Sequence, residues 1–446
     1  MTGLLLDVAY GLGLAALSPV WLYRAIRHGR YRRGIAERMG AAPVSYGFQP
    51  VIWVHGVSVG EINAARSLVS ELHSQLPDYR VVVSSTTDTG FAAAGKHFAP
   101  EHKVFHWPMD FTLSVARALD RVKPELVVLM EGDIWPNFLA ACNRRDIPAV
   151  VVNGRMSRDK GYPGYRKLGR MAGKLFNRLT AIGVQNEEYA ELFRSLGAEP
   201  EKVHVTGMMK YDTADVTDRV PGQDKLAAAM GLRESDKLVV AGGTGGGEEK
   251  MLLERLDQLL QRVPQAVLAI VPRKPERFDE VARLISQSGR SLVRRSQRPD
   301  GTKGDRPDDA VLLGDTMGEL RAFYALADAV FVGRSLVPMG GSDMIEAAAL
   351  GKPTAFGPHT FNFPQADELA ANGCMRVADA DELIDQLCRW LTETASAGQA
   401  SRSAQRFVQS RQGATRRNVE MICRVLGRDP AVAPGAIATE QLPESR

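Results

Sequence analysis

Residues 51–66, Val-Ile-Trp-Val-His-Gly-Val-Ser-Val-Gly-Glu-Ile-Asn-Ala-Ala-Arg, decide how this chain is read. Positions 51–54 are apolar and β-prone, the composition of a buried strand. Gly56 and Gly60 are expected to free the backbone for a tight turn. Glu61 then stands at the head of a helix expected from residue 62 to about 75. Free backbone N–H groups and the positive end of the helix dipole both favour a charged carboxylate there. Open α/β sheets bind ligands beyond the carboxyl ends of their strands, so an ionised Glu61 is a candidate general base. The position equally suits a residue that only stabilises the first turn, and the local pattern leaves both readings open.

Outward from this stretch the pattern repeats. Strand candidates stand at 80–84, 103–106, 126–130, 149–152 and 181–184, separated by helix-length segments such as 64–75 and 111–121. Strands alternating with helices imply βαβ units and a parallel sheet, hence a Rossmann-like domain. Several strands run into polar loops: Thr86-Thr87-Asp88-Thr89-Gly90, Glu131-Gly132-Asp133 and Asn153-Gly154-Arg155. These loops are expected on one rim of the sheet with Glu61. Residues 213–226 are polar and turn-rich, which makes them the linker candidate. Beyond them the alternation resumes at 237–241, 266–271, 311–313, 329–332 and 354–356, a second Rossmann-like domain reaching about residue 395. Residues 401–426 read as one helix, and the Pro-, Ala- and Glu-rich end as a disordered tail.

A length of 446 residues suits two domains, and 44% hydrophobic content is ordinary for chains with real cores. A formal charge of +4 and sparse aromatics argue against nucleic acid as a partner. Cys142, Cys374, Cys388 and Cys423 lack metal-ligand spacing and fit reduced thiols in a cytosolic setting. No metal site is expected. Residues 3–23 form an apolar run broken only by the charge of Asp7. A bilayer needs ~20 such residues, though three glycines and Pro19 weaken this segment. Arg24, Arg27, Arg30, Arg32, Arg33 and Arg38 follow, against Glu37 alone. That order suits an anchor whose basic flank stays cytoplasmic, against anionic headgroups, with Trp21 and Tyr23 at the interface. A buried N-terminal helix is the alternative.

In the second half, residues 242–249 (Gly-Gly-Thr-Gly-Gly-Gly-Glu-Glu) join a strand to a helix. Glycines there let backbone N–H groups approach an anion at a helix N-terminus. The loop lacks the Lys-Ser/Thr ending of a P-loop and is not a dinucleotide fingerprint. Pro272-Arg273-Lys274-Pro275-Glu276-Arg277 carries three cations after a strand, and Arg273 is placed to hold a phosphate bidentately. Residues 315–320 and 340–346 are loop-to-helix entries, the second placing N–H groups and a carboxylate where a ribose could sit. Each of these, taken singly, also reads as capping or solvated charge.

Together these motifs resemble the 3-deoxy-D-manno-octulosonic acid (Kdo) transferases, glycosyltransferases of the GT-B fold. The likeness covers nearly all of residues 1–425. It runs from Glu37-Arg38-Met39-Gly40 through Trp53–Glu61 (residues 53–61), Thr86 to Gly90, Glu131-Gly132-Asp133-Ile134-Trp135-Pro136-Asn137, Asn153-Gly154-Arg155-Met156-Ser157 and Gly207-Met208-Met209-Lys210-Tyr211-Asp212. It continues through 242–249, 272–277, 315–320, 340–346 and Asn362-Phe363. The resemblance implies an α/β chain of two Rossmann-like domains with an interdomain cleft. It divides the chain into a membrane-associating segment and basic flank (1–40), an acceptor domain (41–212), a linker (213–226), a nucleotide-sugar domain with a closing helix (227–426) and a tail (427–446).

The family's general base falls on Glu61, with Glu131 and Lys210 stabilising the transition state. The CMP moiety of the donor CMP-Kdo is expected on Gly243, Thr244, Pro272, Arg273, Met317, Gly318, Glu319, Asp343, Met344, Ile345 and Glu346. Ser58, Gly60 and Arg155 are expected on the side of the acceptor, a lipid A precursor. No cofactor is implied, and the expected location is the cytoplasmic face of the inner membrane. The chain departs from the family's usual pattern at Gly245 and Ser342, where histidines are typical. It departs again at Lys274, and at Asp343, which adds a negative charge beside an anionic donor. Two other readings of the same motifs are a sugar-nucleotide 2-epimerase of similar fold and a catalytically altered glycolipid-binding homologue. The apolar N-terminus speaks against an epimerase.

Overall fold

The computed structural model describes residues 2–28, 34–44, 47–159, 161–217 and 219–429. The chain divides into two compact units. One contains the chain up to Thr213 and again from Gln412; the other is Ala214–Arg411.

In the first unit the strands are β1 (Val51–Gly56), β2 (Arg80–Ser85), β3 (Lys103–His106), β4 (Leu126–Met130), β5 (Ala149–Gly154), β6 (Ala181–Val184) and β7 (Val203–Val205). They form one parallel sheet in the order β3-β2-β1-β4-β5-β6-β7. Its helices include α1 (Thr2–His28), α2 (Ile35–Arg38), α3 (Val59–Gln75), α4 (Asp88–Phe98), α5 (Thr112–Val122) and α6 (Pro136–Asn143). Both faces of the sheet are buried, so its strands are apolar runs rather than polar/apolar alternations. Val51 and Trp53 pack into the core on one face, Ile52 and Val54 into that on the other. Trp53 anchors the first: its ring lies 5.2 Å from Phe105 and Trp107, and Nε1 donates to Ser84 Oγ at 2.7 Å.

The second unit repeats the plan with β8 (Lys237–Thr244), β9 (Ala266–Pro272), β10 (Leu292–Arg294), β11 (Val311–Leu313), β12 (Ala329–Val332), β13 (Thr354–Phe356) and β14 (Met375–Arg376). The order is β10-β11-β9-β8-β12-β13-β14, again all parallel. In each sheet the order reverses beside its first strand, between β1 and β4 and between β8 and β12. Such a reversal opens a crevice at the carboxyl ends of the strands.

Several expectations are corrected. The segment 401–426 is two helices, Thr394–Arg411 and Ala414–Val425, broken at Gly413, whose φ of 87° ends the first. The second helix belongs to the first unit, where Val419, Ile422 and Cys423 join the core beside α3. Asp212 holds its start by accepting from Gly413 N at 2.6 Å and from Thr415 N. The stretch 213–226 is not all linker, because a helix begins at Gln223. Gly56 and Gly60 do not adopt left-handed backbone. Gly56 is needed for space, since a Cβ there would stand 3.2 Å from both Glu61 Cβ and Ile62 Cδ1.

The N-terminal run forms α1, yet no described helix is long and apolar enough to cross a membrane. Its one charge docks it. Asp7 accepts from Thr112 N at 3.0 Å and Asn137 Nδ2 at 2.9 Å, and Tyr10 donates to Asp110. Leu4, Leu5, Val8 and Leu12 remain exposed. Arg38 does not face outward; it lies 3.3 Å from Asp88 with its side chain largely buried. Arg30, Arg32 and Arg33, the side chains of Trp21 and Arg24, and the tail from residue 430 lie outside the described residues.

Candidate active site

Ser58 ends the turn after β1 and caps α3, accepting from Glu61 N at 3.4 Å. Glu61 answers as the third helical residue of a capping box. Its Oε2 accepts from Val57 N at 2.8 Å, and its Oε1 accepts from Ser58 N at 3.2 Å and from Ser58 Oγ at 2.7 Å. The reading of Glu61 as a residue that stabilises the first turn is thus borne out. The hydrogen bonds at the helix terminus favour the charged form, as expected, but burial works against them. Burial, to 6% exposure, pushes the carboxyl up to about 7. The Val57 N–H and Ser58 hydroxyl pull it back, while the Glu131 and Asp133 carboxylates push with burial. Desolvation outweighs the dipole because the charge sits on a nearly dry rim.

Glu131 follows β4 in left-handed backbone (φ 58°), with Gly132 next at φ 105°. Such backbone in a non-glycine residue costs about 1–3 kcal/mol and persists only where surroundings hold it. Here Glu131 N donates to Val152 O at 2.9 Å, and its own carbonyl accepts from Arg155 N at 3.1 Å. Its carboxylate meets Arg155 Nε at 2.7 Å. Burial raises the Glu131 carboxyl, against the lowering fields of Arg155 and Lys210. Asp133 is likewise raised by burial and lowered by Arg155. Lys210 sits in a 3-10 turn after β7, and that turn is pinned where Asn153 Oδ1 accepts from Met209 N at 3.1 Å. Glu61, Glu131, Lys210 and Arg155 thus share one rim, as expected, and Ser58 shapes it. Gly60 lies in the first turn of α3. Sequence reading missed Asn153 as the tie between β5 and the lysine turn. Its signal was a lone Asn at a strand end, a type that tolerates left-handed backbone (φ 53°).

On the second rim, Gly243 (φ 65°) leaves no room for a side chain, because a Cβ would stand 2.8 Å from Ser342 Oγ. Ser342 Oγ in turn donates to Gly243 O at 2.8 Å. One N–H of the glycine loop, that of Gly245, is already taken. Glu248, fully buried, accepts from Gly245 N at 2.9 Å, Arg334 N at 2.5 Å, Ser335 N at 2.8 Å and Leu336 N at 3.0 Å. Arg273 is exposed, its N–H donates to Thr244 O at 3.1 Å, and among the described residues no side chain pairs with its guanidinium. Arg277, by contrast, is structural: it meets buried Glu249 at 2.6 Å and Glu280 at 2.9 Å.

Thr244 Oγ1 and Tyr324 Oη are both buried without a hydrogen-bond partner among the described residues. Tyr324 feels Glu346 and Asp343, which with burial raise its phenol, and Arg273, which lowers it. Tyr324 Oη lies against Gly242, where a Cβ would stand 2.4 Å from it, and Tyr324 was missed because it lies inside an apolar helix pattern. Met344 and Ile345 are core side chains and can offer a ligand only backbone. Pro272 closes β9 and is buried. Glu319 is engaged by Arg295 at 2.8 Å and by the Thr316 hydroxyl, while Met317 is exposed beside Gly318 (φ 89°). Gly245 is matched by its neighbours, since a Cβ there would meet Met339 Sδ at 2.5 Å and Arg334 Cγ at 3.0 Å. Arg334, in left-handed backbone (φ 59°) at the carboxyl end of β12, is a further cation on this rim.

Two parallel Rossmann-like units with ionisable groups at their switch points define an α/β protein of the GT-B class. The solved structure of UDP-GlcNAc 2-epimerase from Neisseria meningitidis bound to UDP-GlcNAc shares this fold. It is 13% identical, covers 84% of this chain and 100% of that one, and has a TM-score of 0.56. The family model for 3-deoxy-D-manno-octulosonic-acid transferase (kdotransferase) matches residues 33–213. The 3-deoxy-D-manno-octulosonic acid transferase of Bordetella pertussis is 33% identical over 438 residues, 93% of this chain and 97% of that protein. The enzyme of the same name from Haemophilus influenzae is 32% identical over 76% of this chain and 78% of that one. The chain belongs to the Kdo transferase family, and is therefore a glycosyltransferase.

Proposed function

We propose that this chain transfers Kdo from CMP-Kdo to a lipid A precursor in lipopolysaccharide core synthesis, with Glu61 as general base. The observation that carries this reading is the buried Glu61 carboxyl, held by three hydrogen bonds and poised at about 7. A base works best when its pKa lies near the operating pH. Glu61 takes the proton of the acceptor hydroxyl as that oxygen bonds to the anomeric carbon. The bond from that carbon to the phosphate oxygen breaks, and its electron pair leaves with CMP. Arg273, which follows β9 and has no paired side chain among the described residues, is the cation for the departing phosphate. Charge-aimed groups of this kind act where charge develops. Glu131, Arg155 and Lys210 are the charged groups that share the rim with the base, and the reaction as written needs no metal.

The exposed Leu4, Leu5, Val8 and Leu12 of α1 support a chain resting on the cytoplasmic face of the inner membrane. Replacing Leu5 and Leu12 by Asp should release it from anionic vesicles. The test of function is incubation with CMP-Kdo and lipid A precursor, followed by mass spectrometry of the lipid. A gain of one or more Kdo masses is expected; an unchanged lipid together with consumed donor would overturn the acceptor assignment.

A further inference from the structure

Far from the proposed reaction rim, the first unit gathers a second set of chemistry-bearing groups. His73, Glu101 and His102 each present one ligand atom within 4.8 Å of the others. The His73 and His102 rings stand 4.8 Å apart, centroid to centroid. His73 lies in the last turn of α3, and Glu101 and His102 lie in the turn between α4 and β3. Glu61 heads the same helix twelve residues earlier, so at ~1.5 Å per residue the two sites are separated by roughly 18 Å.

We propose that His73, Glu101 and His102 form a binding site for a divalent first-row transition metal such as zinc or nickel. Two imidazoles and one carboxylate are a donor set that such ions accept, with water completing a tetrahedron. His102 Nδ1 lies 3.2 Å from Val81 O. Donation to that carbonyl orients the ring and leaves Nε2 with the lone pair, the arrangement by which ligating histidines are usually held. The carboxyl end of α3, where His73 sits, favours positive charge through the helix dipole. Metal bonds of ~2.0–2.1 Å require the three donors to close by about an ångström. Glu101 is exposed and can swing to meet them. Glu101 and His102 are neighbours in the chain, but His73 joins them only in the fold, where the end of α3 meets the turn before β3. A bound ion would clasp the end of α3 to the entry of β3.

The test is titration of ZnCl2 and NiCl2 into the full chain, tag removed and stripped with EDTA, by calorimetry and by thermal melting. One ion per chain with a micromolar Kd and a rise in Tm is expected. His73→Gln and His102→Gln should each weaken binding by at least tenfold, and Glu101→Gln by less. His97→Ala, which alters a nearby histidine bonded to Asn63 rather than to the trio, should leave binding unchanged. Circular dichroism of each variant without metal separates a lost ligand from a lost fold. Absence of binding at millimolar metal, or equal binding by the folded His73→Gln/His102→Gln double variant, overturns the proposal.

Discussion

Glu61 and Glu248 occupy the same place in two copies of one plan. Each follows the first strand of its sheet, at the switch point, in the first turn of a helix. Their partners differ. Among the described residues Glu61 is held by Val57 and Ser58, groups three and four residues away, and it lies near other carboxylates. Glu248 accepts four backbone N–H bonds from two loops, three of them 86–88 residues distant, and has no exposure. Locally tied and carboxylate-flanked, the first can exchange a proton near neutrality. Burial raises the second carboxyl too, against the pull of its four N–H donors, and those donors make it a fastener of loops. Position on a fold does not define a role; the donors that reach the carboxylate do.

The comparison breaks most directly at Glu61. Glu61→Gln should strip turnover by ~10²–10⁴-fold, measured with CMP-Kdo and lipid A precursor, while CMP binding persists. The amide offers one acceptor oxygen where the carboxylate uses two, so one N–H of the turn loses its partner. A modest loss of stability, about 1–3 kcal/mol, should accompany the kinetic effect. Near-normal turnover in this variant, beside a dead Glu131→Gln, would move the base to β4.

Glu248→Ala should behave in the opposite way. It leaves four N–H groups without their acceptor, two of them in fully buried hydrogen bonds, a loss of about 3 kcal/mol or more, read by urea unfolding. Turnover should fall only as far as the rim of the second sheet loosens. If stability is unchanged, the fastening role is wrong.

Arg273→Ala should weaken CMP roughly tenfold to a hundredfold by calorimetry, the size of a lost charge-assisted contact of about 1.5–3 kcal/mol. Arg277→Ala, two steps along the same basic run in charge but paired with Glu249 and Glu280, should instead lower the melting temperature. Reversed outcomes would exchange the two arginines.

The smallest effect is the pH profile. Glu61 acts deprotonated, so with a pKa of about 7 turnover should rise about tenfold from pH 6 to pH 8 and then level. Its folded pKa lies above its unfolded value, so the protonated form is favoured by folding. The stability from this group is fully present below about pH 4.5 and is lost as pH rises through about 7. A profile flat across pH 6–8 would separate the base from Glu61.

The interior strands were legible because burial on both faces makes each a continuous apolar run, bounded by turn residues. β1 and β8 extended two and three residues past their apolar runs, through the glycines that follow. β7, β10 and β14 were not legible. They are two or three residues long and carry charged or exposed positions, too little sequence to show a period. Lys210 was quoted with its motif, but its placement depends on Asn153, 56 positions away from Met209.

By itself, the sequence determined the two parallel Rossmann-like units, the carboxylate at the head of α3 and its family resemblance, since these depend on periodicity and neighbours along the chain. Only the tertiary structure decided which charges are dry, which N–H groups are taken and that Arg277 is tied to Glu249 and Glu280. Desolvation and Coulomb energy depend on distance in space, and the groups that set them here lie tens of residues apart along the chain.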